Sequence, residues 1–491
     1  MLRDRRLWLA IAAAVALILF RSFVFLFYEQ NFDSDQAIVG LMAKHLSEFR
    51  AFPLFFYGQH YMLGVEAWMA APFFWIGGPT VTMLRLPLML INIAVVILLI
   101  RVLTAGGVPS NLAFVATLPV AAGGPVATAQ LLSALGASVE PLLYVIALWT
   151  LRNRPVPFGV ALGIASIHRE FTVFALPAVV ILQWFELRRV RWPAVLKSTA
   201  ACAITWIAID QLKRHVSVAG PGSQTTVGAG GSLALEAVHV GRLLSFDRGL
   251  YFGRLHLLLT QGLPDLFGAR PLPLFTGGIW GDGSVGSWFA GAALVAAAVF
   301  CAGRLMWLVS QGERRGVQFP IFLALVSIQA LVAYGLHGGT EIEFRTELNY
   351  VLLVLLLPVA LFGAYFQLEA RRGYRRTAVA LISVWALLML ADSASLAREY
   401  VVSPPPSPHR TLADYLTKHG IKYAWAGYWD SYRVTFLSRE RAVVASEDIV
   451  RVPGYQSRVE LNRANAARII RMPCGGGTRV AEWCVIDPFQ R

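Results

Sequence analysis

Charged residues are scarce in this sequence: Asp, Glu, Lys and Arg make up 15% of its 491 residues. A typical soluble domain has about 25%, so the composition excludes a chain folded in water around one ordinary core. Hydrophobic residues make up 56%, and apolar runs recur from Leu7 to about Leu396. Because a run of roughly 20 apolar residues spans a bilayer, we predict an all-α polytopic membrane protein with about eleven transmembrane helices.

Motifs of soluble nucleotide chemistry are also lacking. The sequence has no Walker loop, no dinucleotide fingerprint and no G-x-S-x-G elbow in a suitable strand-turn-helix setting. It has no His/Cys group at zinc spacing, and we predict no firm cofactor. A divalent ion held by the oxygens of Glu29, Asp33 and Asp35 is an alternative that the residues leave open.

Acidic residues are outnumbered by basic ones, and the net charge is +14. Most of the excess lies in short clusters beside apolar runs, where it indicates membrane topology. Nucleic acid is therefore not an expected partner. We expect the protein in the bacterial cytoplasmic (inner) membrane. With the basic clusters on the cytoplasmic side, the N-terminus is cytoplasmic, and the chain has a first outer loop at about 29–80 and a long outer loop at about 213–284.

The predicted spans follow one path through the bilayer. Their approximate bounds are 7–28, 83–103, 111–130, 140–151, a helix rising to 166–171, a helix descending to 188–191, 194–212, and helices ending near 314, 337 and 371, followed by 377–396. The membrane domain thus occupies about 1–400.

The last part of the chain differs in composition. The proline-rich segment 403–408 is typical of an extended linker, and hydropathy falls after it. A helix is predicted over 411–419 and strands over 423–428 and 441–445. We infer a small soluble α/β domain at 409–491, on the periplasmic or extracytoplasmic side.

Cysteine is rare, with four residues in the whole chain. Cys202 and Cys301 lie in apolar segments, whereas Cys474 and Cys484 lie in a Gly-rich polar stretch. In an oxidising compartment the second pair is predicted to form a disulfide, and two free thiols are the alternative.

The densest polar cluster follows the first predicted span. Glu29, Asp33 and Asp35 precede an amphipathic segment, and partly buried carboxylates can act as general bases when burial raises their pKa. The structural alternative is that Asp33 caps the next helix, with Asp35 in its first turn.

Three segments of this loop, FDSDQAIVGLMA (32–43), FPLFFYGQHY (52–61) and EAWMAAP (66–72), resemble the first outer loop of the C-type glycosyltransferases. These include the protein O-mannosyltransferases and the lipid A aminoarabinose transferases. The run YWDSYRVTFLS (428–438) resembles a bacterial branch of them. The resemblance implies a GT-C fold and a loop aspartate that takes the proton of an acceptor hydroxyl while a sugar leaves polyprenyl phosphate.

Two departures from the family pattern affect the expected site. The motif reads DSDQ rather than an adjacent acidic pair, so Asp35 or Asp33 is the predicted catalytic base; alignment of the segment 37–43 favours Asp35. The lysine that the aminoarabinose transferases place after a tyrosine is absent, since Met62 follows Tyr61. The donor phosphate must therefore contact other cations.

Arginines are the expected phosphate ligands, because they supply permanent positive charge where negative charge develops. Arg169 and Arg345 fall at predicted outer helix ends, and Arg248 and Arg254 lie in the long outer loop. For Arg169 and Arg345 the alternative is ion pairing or snorkelling at the membrane interface. For Arg248 and Arg254 the alternative is a solvated face of the loop. Further residues assigned to substrate binding are Gln59, His60, Tyr61, Glu66, His168, Glu170, His256, Glu341 and Glu343.

The sequence thus predicts an inverting glycosyltransferase of the bilayer. Its expected partners are a polyprenyl-phosphate sugar donor and a glycan, glycolipid or protein acceptor. An oligosaccharide ligase with a lipid diphosphate donor is one alternative. A lipid-linked sugar transporter or flippase is another, but it predicts ionisable residues at the bilayer midplane and internal symmetry.

Overall fold

Long apolar runs form helices because a helix satisfies every backbone N–H and C=O internally where water is excluded. The computed structural model describes residues 2–29, 31–135, 138–212, 248–269, 285–312, 316–335 and 348–486. Within these ranges, the helices up to the linker are α1 (Leu2–Phe27), α2 (Ser34–Ser47), α3 (Val65–Gly77), α4 (Val81–Ala105), α5 (Ser110–Ala121), α6 (Pro125–Leu131), α7 (Glu140–Leu151), α8 (Pro155–His168), α9 (Ala175–Leu187), α10 (Trp192–Leu212), α11 (Arg248–Leu257), α12 (Leu263–Leu266), α13 (Val285–Ser310), α14 (Gln318–Gly335), α15 (Leu356–Leu368) and α16 (Arg372–Val402).

Short stretches of other helix types extend several of these elements. A 3₁₀ helix over Glu170–Phe174 precedes α9, and another over Leu348–Leu355 precedes α15. A π-helix over Leu258–Gly262 joins α11 to α12. Helix α11, this π-helix and α12 are short helices within 213–284, the segment predicted as the long outer loop.

Eight helices among the described residues are long and apolar enough to cross a membrane, which makes this a multi-pass membrane protein. The sequence predicts about eleven, and the other three differ in form. The predicted span 111–130 is a pair, α5 and α6, bent by 82°. Helices α7 and α8 have 12 and 14 residues, which corresponds to only about 18 and 21 Å against a hydrocarbon core of about 30 Å.

The segment at about 29–80, which is predicted to be the first outer loop and keeps that name below, packs against α4 and α8. It contains α2, the two short strands β1 (Phe55–Phe56) and β2 (Gln59–Leu63), and α3. The strands pair antiparallel, with Phe55 opposite Leu63. Nearly all of α2 is buried, because α3 covers one side of it and the C-terminal domain covers another.

The C-terminal domain alternates helices and strands, as predicted for an α/β fold. Its elements are α17 (Pro408–Lys418), β3 (Tyr423–Ala426), α18 (Tyr428–Leu437), β4 (Val443–Ser446), α19 (Pro453–Leu461), β5 (Ala467–Arg471), β6 (Thr478–Val480) and β7 (Trp483–Ile486). The five strands form one sheet in the order β4-β3-β5-β7-β6. Strand β3 is parallel to both neighbours, and β7 is antiparallel to β5 and β6. Cys474 and Cys484 form a disulfide, with their Cα atoms 5.1 Å apart.

An apolar contact joins this domain to the first outer loop. The ring of Phe436 in α18 lies against Gly40 of α2, and its centroid is 5.5 Å from that of Phe32 and 6.3 Å from that of Phe74. A Cβ atom at Gly40 would lie 2.5 Å from the ring. The absence of a side chain at this position therefore allows the two helices to approach closely.

Candidate active site at the start of helix α2

The two aspartates of the first outer loop occupy different positions at the start of α2. Asp33 is the N-cap residue, and its Oδ1 accepts a hydrogen bond of 2.9 Å from the backbone N–H of Gln36. Asp35 lies in the first turn and is half-buried. The capping alternative therefore describes the positions of both residues correctly, with Asp33 at the N-cap and Asp35 in the first turn.

The electrostatic environment of Asp33 favours its neutral form. Burial raises the pKa of Asp33 to about 6, and the charge of Asp35 adds to the increase. The Gln36 hydrogen bonds and the positive charge of Arg433 act in the opposite direction. A carboxylate with a pKa close to neutral pH is suited to accepting a proton.

Arg85 of α4 holds the chain that leads into α2. Its guanidinium donates to the carbonyl oxygens of Phe25 (2.6 Å) and Asn31 (2.9 Å) and to Oε1 of Gln36 (3.0 Å). Arg85 is not among the site residues predicted from the sequence. The sequence does contain a signal for it, because an arginine inside an apolar run is uncommon and marks a functional or structural site.

The C-terminal domain supplies a second group of side chains. The hydroxyl of Tyr428 donates a hydrogen bond to Oδ1 of Asp35, and the backbone carbonyl of Tyr428 accepts one of 2.7 Å from Ser34. Arg433, five residues further along α18, contributes positive charge at Asp33. Its Nε atom is buried and has no hydrogen-bond partner among the described residues. The site is therefore built from both ends of the chain.

Glu29, a candidate oxygen ligand, is engaged by the C-terminal domain. Its carboxylate accepts hydrogen bonds from Ser407 (2.6 Å) and from Nε of Arg410 (2.8 Å). Among the described residues, no group of three or more His, Cys, Asp or Glu side chains is arranged to hold a metal ion. Glu29 thus acts in the structure as an anchor for the segment that follows the linker.

A second buried polar cluster connects the first outer loop to the end of α8. Oε2 of Glu66 in α3 lies 3.5 Å from Nε2 of His168. Within the described residues, neither carboxylate oxygen of Glu66 nor this nitrogen forms a hydrogen bond. The other ring nitrogen of His168 is hydrogen-bonded to the hydroxyl of Tyr144 at 2.8 Å. The C-terminal end of α8 and the first outer loop therefore lie at the same end of the helix bundle.

Arg169 follows His168 directly and is the C-cap residue of α8. It is 8% exposed, and its guanidinium carbon lies 5.8 Å from the ring centroid of Phe171. Gln59 begins β2 in the same region and is half-buried. The structure thus brings Gln59, Glu66, His168 and Arg169 to the end of the bundle that carries the aspartates.

The remaining predicted residues are exposed, pack between other helices or lie outside the described part of the chain. Glu170, Arg248 and His256 are exposed, and buried Arg254 lies where α11 packs on α14, with its guanidinium 3.5 Å from the carbonyl oxygen of Gly335. Outside the described residues lie Arg345, Glu341 and Glu343, and also the side chains of His60 and Tyr61.

Comparison with known proteins identifies the fold. No protein-family model matches the sequence, and no curated protein matches it. The structure is similar to that of ArnT from Cupriavidus metallidurans bound to undecaprenyl phosphate, with a TM-score of 0.60 and 12% identity over 97% of this chain and 98% of that one. It is also similar to an Archaeoglobus fulgidus oligosaccharyltransferase in complex with Zn and sulfate, with a TM-score of 0.50 and 11% identity over 94% and 68%. The predicted GT-C fold is confirmed.

Proposed function

We propose that this protein is an inverting membrane glycosyltransferase that moves one sugar from a polyprenyl phosphate to an acceptor. The observation that carries the proposal is the half-buried pair Asp33 and Asp35, held at the start of α2 at the end of the bundle where Arg169 also lies. The shared fold supports it, since the similar ArnT structure contains undecaprenyl phosphate. The donor sugar is a hexosyl or pentosyl unit, and the acceptor is a glycolipid, a polysaccharide or a protein.

The proposed reaction needs one base and one phosphate site. Asp35 takes the proton of the acceptor hydroxyl, and the oxygen forms a bond to the anomeric carbon from the face opposite the phosphate. The bond between that carbon and the phosphate oxygen breaks, and its electron pair leaves with the polyprenyl phosphate. Asp33 is the alternative base, and a pKa of about 6 suits this role as well.

Arginines would stabilise the departing phosphate. Arg169 is our first candidate because its position beside the Glu66–His168 contact places it at the same end of the bundle as the aspartates. Arg345, Arg254 and Arg248 are further candidates from later parts of the chain. Gln59, Glu66 and His168 would contact the sugar, as polar groups that fix orientation in a mostly apolar pocket.

The proposed reaction takes place at the outer face of the bacterial cytoplasmic membrane, with the N-terminus inside. The prenyl chain of the donor would remain in the bilayer next to the helix ends, where its apolar surface stays out of water. The C-terminal domain, which covers α2, would then face the periplasm.

The test is an in vitro assay with the purified full chain, a synthetic polyprenyl-phosphate sugar and a membrane glycolipid extract. We expect Asp35→Asn to abolish transfer while the protein stays folded, and we expect Asp33→Asn to reduce it. Asp414→Asn, which removes an exposed carboxylate of α17, is the matched control and leaves transfer unchanged. Undiminished transfer in both the Asp33 and the Asp35 variants would remove the proposed base.

Competition separates the proposed donor from a diphosphate donor. If the site accommodates a monophosphate leaving group, polyprenyl monophosphate inhibits transfer more strongly than polyprenyl diphosphate. The opposite order would indicate an oligosaccharide ligase with a lipid diphosphate donor.

A further inference from the structure

Tyr428 connects the C-terminal domain to the proposed base. It is the first residue of α18, and its hydroxyl donates to Oδ1 of Asp35. Its backbone carbonyl binds the hydroxyl of Ser34, the residue before Asp35, at 2.7 Å. One residue of the soluble domain thus contacts two consecutive residues in the first turn of α2.

The position of this hydroxyl is fixed by its surroundings. Tyr428 is buried, and its ring packs edge-on against Tyr432 with a centroid distance of 5.5 Å. Its backbone N–H donates to Oδ1 of Asp448 at 2.8 Å, which anchors the start of α18. Burial raises the pKa of Tyr428 well above its ordinary value, so the phenol remains protonated and can only donate to an ionised carboxylate.

A carboxylate has two oxygens, and Tyr428 binds one of them. Among the described residues, Tyr428 is the sole hydrogen-bond donor to the Asp35 side chain. Donation to Oδ1 restricts rotation of the carboxylate about its side-chain bonds and leaves Oδ2 for an acceptor hydroxyl. A base must be held within about 0.5 Å of its productive position to be effective, and residues that bond to it do this work.

We propose that Tyr428 is a positioning residue for the reaction: it holds Asp35 so that the second carboxylate oxygen faces the acceptor hydroxyl. The inference rests on the proposed function. It gives the C-terminal domain a direct part in the reaction, because the domain contributes a group to the base itself as well as covering the loop.

The test compares Tyr428→Phe with wild type in the full chain. Phenylalanine keeps the ring and the backbone contact with Ser34 but removes the hydroxyl. We expect kcat to fall about tenfold or more, as for other groups that orient a catalytic side chain, with KM for the polyprenyl-phosphate sugar within twofold of wild type. Trp429→Phe is the matched control, because Trp429 is the next residue of α18 and is 56% exposed; its kcat stays at the wild-type value.

A second variant separates the hydroxyl from the shape of the side chain. Incorporation of 3-fluorotyrosine at position 428 keeps the hydroxyl, and we expect it to retain at least half of the wild-type kcat. Equal loss of activity with phenylalanine and with 3-fluorotyrosine would overturn the proposal. So would release of the C-terminal domain in Tyr428→Phe, seen as faster proteolysis at 403–407, since Tyr428 would then be only a docking residue.

The two proposals fail in different ways. If Asp35→Asn is inactive and Tyr428→Phe has wild-type kcat, the positioning role is wrong and the proposed base stands. If Asp35→Asn and Asp33→Asn are both fully active, the proposed reaction is wrong, and Tyr428 has no base to position.

Discussion

Nζ of Lys44 in the first outer loop lies 2.5 Å from Oε2 of Glu440 in the C-terminal domain. Glu440 also accepts hydrogen bonds from His45 (3.1 Å), Arg50 (2.6 Å) and Tyr455 (2.8 Å). Its side chain is 6% exposed. Burial alone would raise the pKa of Glu440, but the donors around it lower the pKa far below its ordinary value. This carboxylate is therefore the polar centre of the contact between the loop and the domain.

Glu440→Gln removes the negative charge and leaves three basic side chains near one another. Breaking a buried, hydrogen-bonded ion pair on one side costs about 3 kcal/mol, so we expect the C-terminal domain to detach at a lower temperature. The detachment temperature is measured by heating the protein and monitoring proteolysis at 403–407. Glu447→Gln removes a surface pair with Arg468 and is the control, with a change below about 1 kcal/mol. Equal melting of the two variants would contradict the assigned role of Glu440.

Gly40→Ala tests the apolar half of the same contact. The added Cβ would lie 2.5 Å from the Phe436 ring, whose movement is limited by Phe32 and Phe74. Overpacking of this kind costs about 1–3 kcal/mol, so we expect a lower melting temperature and partial recovery in the double variant Gly40→Ala with Phe436→Leu. Gly303→Ala has open space around it in α13 and should not destabilise the protein. If Gly303→Ala is equally harmful, helix packing at Gly40 is not the cause.

The pH dependence of transfer reports on Asp33. Its pKa of about 6 lies above the ordinary value of 3.8, so the side chain gains a proton as the pH falls through about 6. We expect the transfer rate to drop below that pH, because the negative charge beside Asp35 is lost. Rates measured from pH 5 to 8 in wild type, Asp33→Asn and Asp414→Asn test this. An acid limb near pH 6 that persists in Asp33→Asn would assign it to another group.

Arg169 and Arg154 offer a matched pair at the two ends of α8. Arg154 is the N-cap residue and is exposed, while Arg169 is the C-cap residue and is buried. Loss of a group that stabilises developing negative charge reduces kcat by about 10²–10³, so we expect a decrease of this size in Arg169→Gln and no decrease in Arg154→Gln. The comparison uses the steady-state assay with polyprenyl-phosphate sugar. Similar activity in the two variants would remove Arg169 from the phosphate site.

Most membrane helices could be predicted from the sequence, because apolar length alone decides whether a segment spans a bilayer. The predicted span 140–151 coincides with α7. The position of this helix was predicted correctly, but its 12 residues are too few to cross the hydrocarbon core in a straight helix. The bend between α5 and α6 was also missed. It falls at Ala122–Gly124, where the helical pattern breaks for three residues, and hydropathy is insensitive to such a break.

The candidate site was predicted only in part. The acidic pair and Arg169 stand out because charged groups are rare next to apolar segments. Tyr428 and Arg433 lie in the run 428–438 that carries part of the resemblance, but the run does not show that their side chains reach α2. Glu440 lies outside the run, as a single glutamate in a polar domain. The side chains of all three matter because they contact or face α2, which lies almost 400 residues earlier in the chain. Such long-range contacts arise from tertiary packing, and local sequence patterns do not reveal them.

The contact between Asp35 and Tyr428 joins residues 393 positions apart. The N-terminal partner is synthesised first. Helix α2 is therefore made before all the later helices and before Tyr428. A growing or prematurely terminated chain would carry the acidic pair without the tyrosine that holds it. The proposed reaction centre is therefore complete only after Tyr428 has been synthesised and α18 has packed on α2.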